Sequence, residues 1–178
     1  MAQFVLDQLC KHFPEAVEET SAVHGNETAY IKRDAILEVA KYLRDDAALC
    51  FDMPIDCTAL DWQDQKPQRF EVVYHIYSTT LKHRLRLKIR LDEKDIETPA
   101  LTQIWKGMNW HERECWDMYG VVFTGHPKLK RILLYEEFEG FPLRKDYPVE
   151  GRQPLIEMRD TATVPTEKEI TPEMLNRP

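Results

Sequence analysis

Two-residue alternation of apolar and charged positions is the strongest pattern in the chain. Phe70, Val72, Tyr74 and Ile76 share one side of a first run; Leu81, His83, Leu85, Leu87, Ile89 and Leu91 share one side of a second. The intervening positions of the second run are Lys82, Arg84, Arg86, Lys88 and Arg90. A period of two places alternate side chains on opposite faces of a strand, so a hairpin over 70–78 and 81–91 is predicted, with one apolar face. For the apolar faces to coincide, even positions of the first strand must oppose odd positions of the second. Centring the turn on Thr79-Thr80 pairs Phe70 with Ile89, Val72 with Leu87, Tyr74 with Leu85 and Ile76 with His83, and sets Glu71 opposite Lys88. Thr-Thr suits a two-residue primed turn poorly, because both residues would need positive φ, so a wider loop in the same register is expected.

Elsewhere the spacing is helical or broken. Phe4, Val5, Leu9 and Phe13 fall on one side of a short N-terminal helix. Residues 17–23 and 28–32 read as strands around the turn His24-Gly25-Asn26. Asp34 is placed to cap a helix carrying Ile36, Leu37, Ala40 and Leu43 and ending near Asp45-Asp46. Residues 49–53 read as a short strand stopped by Pro54, and 55–68 as a loop holding Trp62. Thr98-Pro99 is expected to open a helix through Leu101, Ile104 and Trp105, weakened or ended at Gly107. Asn109 then caps a second helix, with Glu112 closing a capping box and Gly120 supplying a left-handed stop. On that helix Glu112, Cys115, Trp116 and Tyr119 share a face, Arg113 and Asp117 pair four residues apart, and Glu114 lies nearer the charged side. Residues 147–178 hold several prolines, mixed charge and few large apolar residues. Alone they bury too little surface to offset the entropy of ordering, but they suit an extended tail lying on another protein.

Composition narrows the function classes. The 178 residues, 43% hydrophobic, suffice for a domain with a core and a tail. A formal charge of -7 makes long-range attraction to nucleic acid or anionic lipid unexpected. No apolar run approaches the roughly 20 residues of a membrane span, and the N-terminus is a poor secretory signal. Cys10, Cys50, Cys57 and Cys115 form no C-x-x-C pair, which argues against zinc or iron–sulfur ligation and for reduced, mostly buried thiols; a disulfide between Cys50 and Cys57 is the alternative. The alternating cations lie about 6.6 Å apart, and each neighbouring pair costs only about 0.6 kcal/mol in water. A solvated or acid-flanked sheet face accounts for them; contact with an acidic partner protein is the sharper reading, and RNA stacking on Val73, His75 and Tyr77 a distant one.

Residues 109–146 concentrate acids, bases and aromatics as an active site would. The catalytic patterns fail there. His111-Glu112 begins H-E-x-x-H, but Cys115 stands at the second His position. Glu112 and Glu114, two apart on a helix, do not face each other. No phosphate-binding loop or nucleophile elbow occurs, and Met108 and Met118 read as core or interface filler rather than ligands. A carboxylate on a partly buried face needs a partner, for which Arg131, Arg144 or another subunit are the candidates.

The run Glu112-Arg113-Glu114-Cys115-Trp116-Asp117-Met118-Tyr119-Gly120 resembles the signature of the 30-kDa-type (C) subunit of the NADH:quinone oxidoreductase of respiratory complex I. The resemblance continues through His126-Pro127, Lys130, Arg131-Ile132-Leu133 and Gly140-Phe141-Pro142-Leu143-Arg144-Lys145-Asp146-Tyr147-Pro148. Phe141 departs from it, since the family often has another residue there. The resemblance implies an α+β domain over 1–146, a small mostly antiparallel sheet with helices on one face, followed by the extended tail 147–178. It implies a peripheral-arm subunit with no catalytic site, cofactor or metal of its own. FMN and iron–sulfur clusters belong to partner subunits of a cation-translocating complex. It implies the D subunit as the main partner, with the B and I subunits near. The expected location is peripheral, on the cytoplasmic side of a bacterial inner membrane, or the matrix side if organellar. The signature residues Glu112, Arg113, Glu114, Asp117, Gly120, His126, Pro127, Arg131, Pro142, Leu143, Arg144, Lys145, Asp146, Tyr147 and Pro148 are then structural or interface residues. Glu112, Arg113, Asp117, Arg131, Arg144 and Asp146 are expected in ion pairs. Rival readings are the equivalent subunit of a membrane-bound hydrogenase or other-donor quinone reductase, a stand-alone hydrolase using His111 and Glu112, and an RNA-binding module.

Overall fold

The alternating runs become the central strands of a five-stranded sheet in the computed structural model, which describes residues 2–154. β4 (Phe70–Tyr77) and β5 (Arg84–Leu91) pair antiparallel, and their apolar positions are buried on one face. Even positions oppose odd ones as the pattern requires, but the register is shifted by two from the one expected. Phe70 faces Leu91, Val72 faces Ile89, Tyr74 faces Leu87, Ile76 faces Leu85, and Glu71 faces Arg90. The loop decides this. Ser78 N–H bonds the His83 carbonyl at 3.0 Å, Leu81 N–H donates to the Ser78 hydroxyl at 3.1 Å, and Lys82 takes a positive φ. A two-residue slip leaves both faces intact, so burial pattern alone does not distinguish the registers.

β1 (Val17–Val23) and β2 (Asn26–Ile31) form the second hairpin. His24 and Gly25 both have positive φ, at 55° and 76°, as a tight primed turn requires. β2 pairs with β5 in parallel, and β3 (Met53–Asp61) adds to the other side of β4, giving the order β1-β2-β5-β4-β3. β3 occupies much of the stretch expected to be a loop. Pro54 is tolerated because β3 is an edge strand with a register shift between Pro54 and Asp56. Residues 49–51, expected as a strand, instead wrap the end of α2 (Ile36–Asp45). Leu49 and Cys50 N–H bond the Asp46 carbonyl, and Phe51 N–H bonds that of Leu43. The Leu49 and Phe51 carbonyls are taken by side chains, His83 Nε2 and Trp105 Nε1, both at 2.8 Å, and that of Cys50 by Asp52 N–H at 2.9 Å.

The helices pack in one core with the inner sheet face. α1 (Ala2–His12) buries Val5, Leu6 and Leu9, whereas Phe4, expected inside, is 45% exposed. α2 buries Ile36, Val39, Ala40 and Leu43; Asp34 lies inside a preceding 3-10 turn and makes no cap. Thr98-Pro99 also differs from expectation. It belongs to β6 (Glu97–Pro99), which pairs in parallel with β7 (Val122–Thr124), and only a 3-10 turn, Leu101–Gln103, follows. α3 (Met108–Tyr119) connects these strands, starts from Gly107 without a side-chain cap, and ends on Gly120 in the left-handed conformation expected. All four cysteines are free, with Cys57 and Cys115 buried. Beyond β7 the described chain has no helix or strand. The expected tail is described to Pro154, and 155–178 lie outside the described residues.

Candidate functional site

α3 buries two carboxylates, and each organises a different stretch of chain. Asp117 Oδ2 accepts the N–H groups of Ile132, Leu133 and Leu134 at 3.0, 2.9 and 3.0 Å, while Oδ1 pairs with Arg131 at 2.7 Å. Burial pushes its pKa up, but the N–H donors and Arg131 outweigh burial and hold it below the usual carboxylate range. Arg131 also donates to the Phe138 carbonyl at 2.8 Å and lies against the Trp116, Phe138 and Phe141 rings. The expected pair of Arg113 with Asp117 does not form. Asp117 turns toward 131–134, and Arg113 donates to the Lys130 and Arg131 carbonyls at 3.0 and 2.9 Å.

Glu112 closes no capping box and meets neither Arg131 nor Arg144. Its carboxylate accepts Leu101 N–H at 2.5 Å and the Thr102 hydroxyl, tying α3 to the 3-10 turn. The nearest basic group is His126, whose Nε2 lies 3.9 Å away. That ring is satisfied as a neutral imidazole: Nε2–H donates to the Asn109 carbonyl and Nδ1 accepts Lys128 N–H, each at 3.1 Å. Burial pushes the His126 pKa down. Burial pushes Glu112 up to about 7, against the pull of its Thr102 and Leu101 bonds.

A second clamp involves residues that the sequence did not single out. Asp61, at the end of β3, takes two bonds from Arg69 at 3.0 and 2.9 Å and one from Lys145 N–H at 2.8 Å. Burial opposes ionisation, but these donors hold Asp61 at about 2. Arg69 also pairs with Asp146 at 2.9 Å and with Glu93. No local signal links Asp61 to Lys145 across so much chain. Arg144, expected in an ion pair, instead donates to the Tyr119 carbonyl at 2.6 Å and lies over Phe141 and Phe70, 4.5 and 5.2 Å from the ring centres.

Gly120 makes this contact possible. A Cβ there would lie 2.5 Å from Arg144 Nη2 and 2.6 Å from the Phe141 ring, at a φ of 78°. Gly120→Ala is expected to destabilise the chain by about 2 kcal/mol, mostly from the left-handed backbone. Urea unfolding midpoints measure this; an unchanged midpoint contradicts it.

The remaining signature residues lie on α3 and on the segment that follows β7, most of them at the surface. Glu114, Pro127, Leu143, Lys145, Asp146 and Pro148 are exposed, and Pro142 is half-buried. Tyr147 stacks on Phe138 with centres 6.0 Å apart. Leu133 is 63% and Leu143 50% exposed, although Leu143 N–H is fixed on the Met118 carbonyl. Chemically, the charged side chains of 109–146 largely hold backbone in place.

The family model described as respiratory-chain NADH dehydrogenase, 30 Kd subunit, matches residues 29–153. The C subunit of the NADH-quinone oxidoreductase of Roseiflexus sp. (strain RS-1) is 43% identical over 145 residues, 82% of this chain and 83% of the relative. The C 2 subunit of the enzyme of Rhizobium meliloti (strain 1021) is 46% identical over 139 residues, 78% of this chain and 75% of the relative. Among solved structures, the trypsin-resistant fragment (1-134) of Nqo5 matches with TM-score 0.61 and 27% identity, covering 72% of this chain and 100% of the fragment. A chain of the membrane-bound sulfane sulfur reductase, an archaeal respiratory membrane complex, shares the fold with TM-score 0.70 at 22% identity, over 83% of this chain and 86% of that one.

Proposed function

The chain belongs to the 30 Kd subunit family of respiratory-chain NADH dehydrogenase, and from that membership we propose that it is a peripheral-arm scaffold of an NADH:quinone oxidoreductase. Electrons pass from NADH through FMN and iron–sulfur clusters of other subunits to quinone, coupled to cation translocation. This chain holds none of those groups and has no catalytic site. It docks on the D subunit, beside the B and I subunits, on the cytoplasmic side of the membrane (the matrix side in an organelle). No helix among the described residues is long and apolar enough to cross a membrane.

The observation that carries this reading is the clamped segment. Residues 125–154 have no regular structure, yet Asp117, Arg113, Asp61 and Arg144 fix their backbone against the domain. Leu133, Leu143 and Val149 then face outward, an apolar set suited to a partner surface.

Leu133→Asp and Leu143→Asp are expected to lower incorporation of the chain into the complex about tenfold or more, as loss of an interface anchor does. The folded chain itself should change by less than about 0.5 kcal/mol, because both side chains are exposed. Normal incorporation with full quinone reductase activity overturns the reading. A tagged chain should co-purify with a flavin-containing NADH-oxidising module; a nickel–iron centre in its place assigns the chain to a hydrogenase-type complex.

A further inference from the structure

We propose that the open end of the outer sheet face is a docking cleft for an acidic, extended segment of a partner subunit. The proposal rests on the scaffold reading, which supplies the partner. β5 displays Arg84, Arg86, Lys88 and Arg90 on the face opposite the core, and the four are not equivalent. Arg90 is neutralised by Glu18 and Glu19, and Lys88 by Glu71 at 2.9 Å. Toward the start of the strand the ion pairs stop, although Glu27 and Asp56 border the same end of the face. Arg86 Nε donates to His75 Nε2 at 2.9 Å, and Arg84 lies over the Tyr77 ring, 5.6 Å from its centre. Neither arginine has a carboxylate partner among the described residues. Cations left unneutralised on a chain of charge -7 call for an acid from outside.

Space lies beside them. The parallel ladder between β2 and β5 begins only at Thr28 and Arg86, so Arg84 lies beyond it. A cleft of about 770 Å³ opens there, lined by Asn26, Glu27, His75, Tyr77, Arg84 and Arg86 among others. Asp56 also borders it but faces His75 and His111, at 3.7 and 3.8 Å. Arg84 and Arg86 repeat at about 6.6 Å on one strand face, the same spacing as alternate carboxylates on an extended peptide. Guanidinium groups bind carboxylates bidentately, so two such pairs read a short acidic strand better than one small anion.

The test uses the whole complex. Arg84→Lys with Arg86→Lys keeps the charge and introduces amines, which a water-soluble carbodiimide couples directly to any carboxylate in contact. The expected product joins Lys at these positions to an Asp or Glu of another subunit, read by mass spectrometry. Arg84→Glu with Arg86→Glu should release the chain about tenfold more readily at low salt, a difference that shrinks as added salt screens the charges. Coupling only to Glu27, to Asp56 or to an acid of residues 155–178, or no coupling at all, overturns the proposal. If Leu133→Asp blocks incorporation while the charge-reversed chain assembles normally and the lysine variant couples to no partner, the cleft is refuted and the scaffold reading stands. If no respiratory subunit co-purifies with the tagged chain, both fall.

Discussion

Asp117→Asn should destabilise the chain by about 3–5 kcal/mol, the usual result of removing one member of a buried ion pair. One carboxylate oxygen serves three consecutive N–H groups, and the other holds Arg131. An amide replaces one of those acceptors with a donor. Either the three N–H groups or the guanidinium is left facing an N–H where it needs an oxygen. Arg131 in turn holds the Phe138 carbonyl, so the loss spreads along the segment. Against a total stability of about 5–15 kcal/mol this is a large fraction. The damage is directional. The hairpin of β4 and β5 shares no hydrogen bond with Asp117, so its amides should stay protected from exchange while those of 132–134 open. Hydrogen exchange followed by mass spectrometry distinguishes the two regions. Unchanged exchange at 132–134 refutes the clamp.

Legibility followed the range of the interaction. Alternation at 70–76 and 81–91 reported which face is buried, because that depends on each strand alone. It did not report the register, which the hydroxyl of Ser78 and the positive φ of Lys82 set in the loop. Residues 49–51 look like a strand by composition; the carbonyls of Leu43 and Asp46 capture their N–H groups first. Gly120 was readable as a left-handed stop, but its second duty, admitting Arg144 and Phe141, depends on chain far downstream. Of the signature residues expected in ion pairs, Asp117, Arg131 and Asp146 make them, whereas the particular pairing of Arg113 with Asp117 does not form. Asp117 chose Arg131 over its helical neighbour Arg113, and Arg144 chose aromatic faces and a carbonyl over a carboxylate. Asp61 and Arg69 carry no pattern at all: their importance appears only when the pairing of β3 with β4 brings them together beside Lys145 and Asp146.

Glu112→Gln is expected to gain on the natural chain as pH rises, by a difference on the order of 3 kcal/mol between about pH 4.5 and about pH 8.5. Glu112 ionises at about 7 in the folded chain against an ordinary value of 4.5. Between those values the folded chain holds a proton that the unfolded chain has released. Its stabilising effect is therefore fully present below 4.5 and is lost as pH rises through about 7. Gln carries no charge and keeps both contacts: its oxygen accepts Leu101 N–H, and its amide donates once the Thr102 hydroxyl rotates. His75 and His126, both shifted down by burial, act with the opposite sign, stabilising the fold as pH rises toward 6.5. Asp61, Glu71 and Asp117, shifted down, act in the acid range below their ordinary values. These groups are common to both proteins and drop out of the difference, apart from His126, which lies 3.9 Å from Glu112. Paired urea unfolding across the pH series isolates the effect. A flat difference curve means that Glu112 is ionised throughout and that the buried tie between α3 and the 3-10 turn is a charged one.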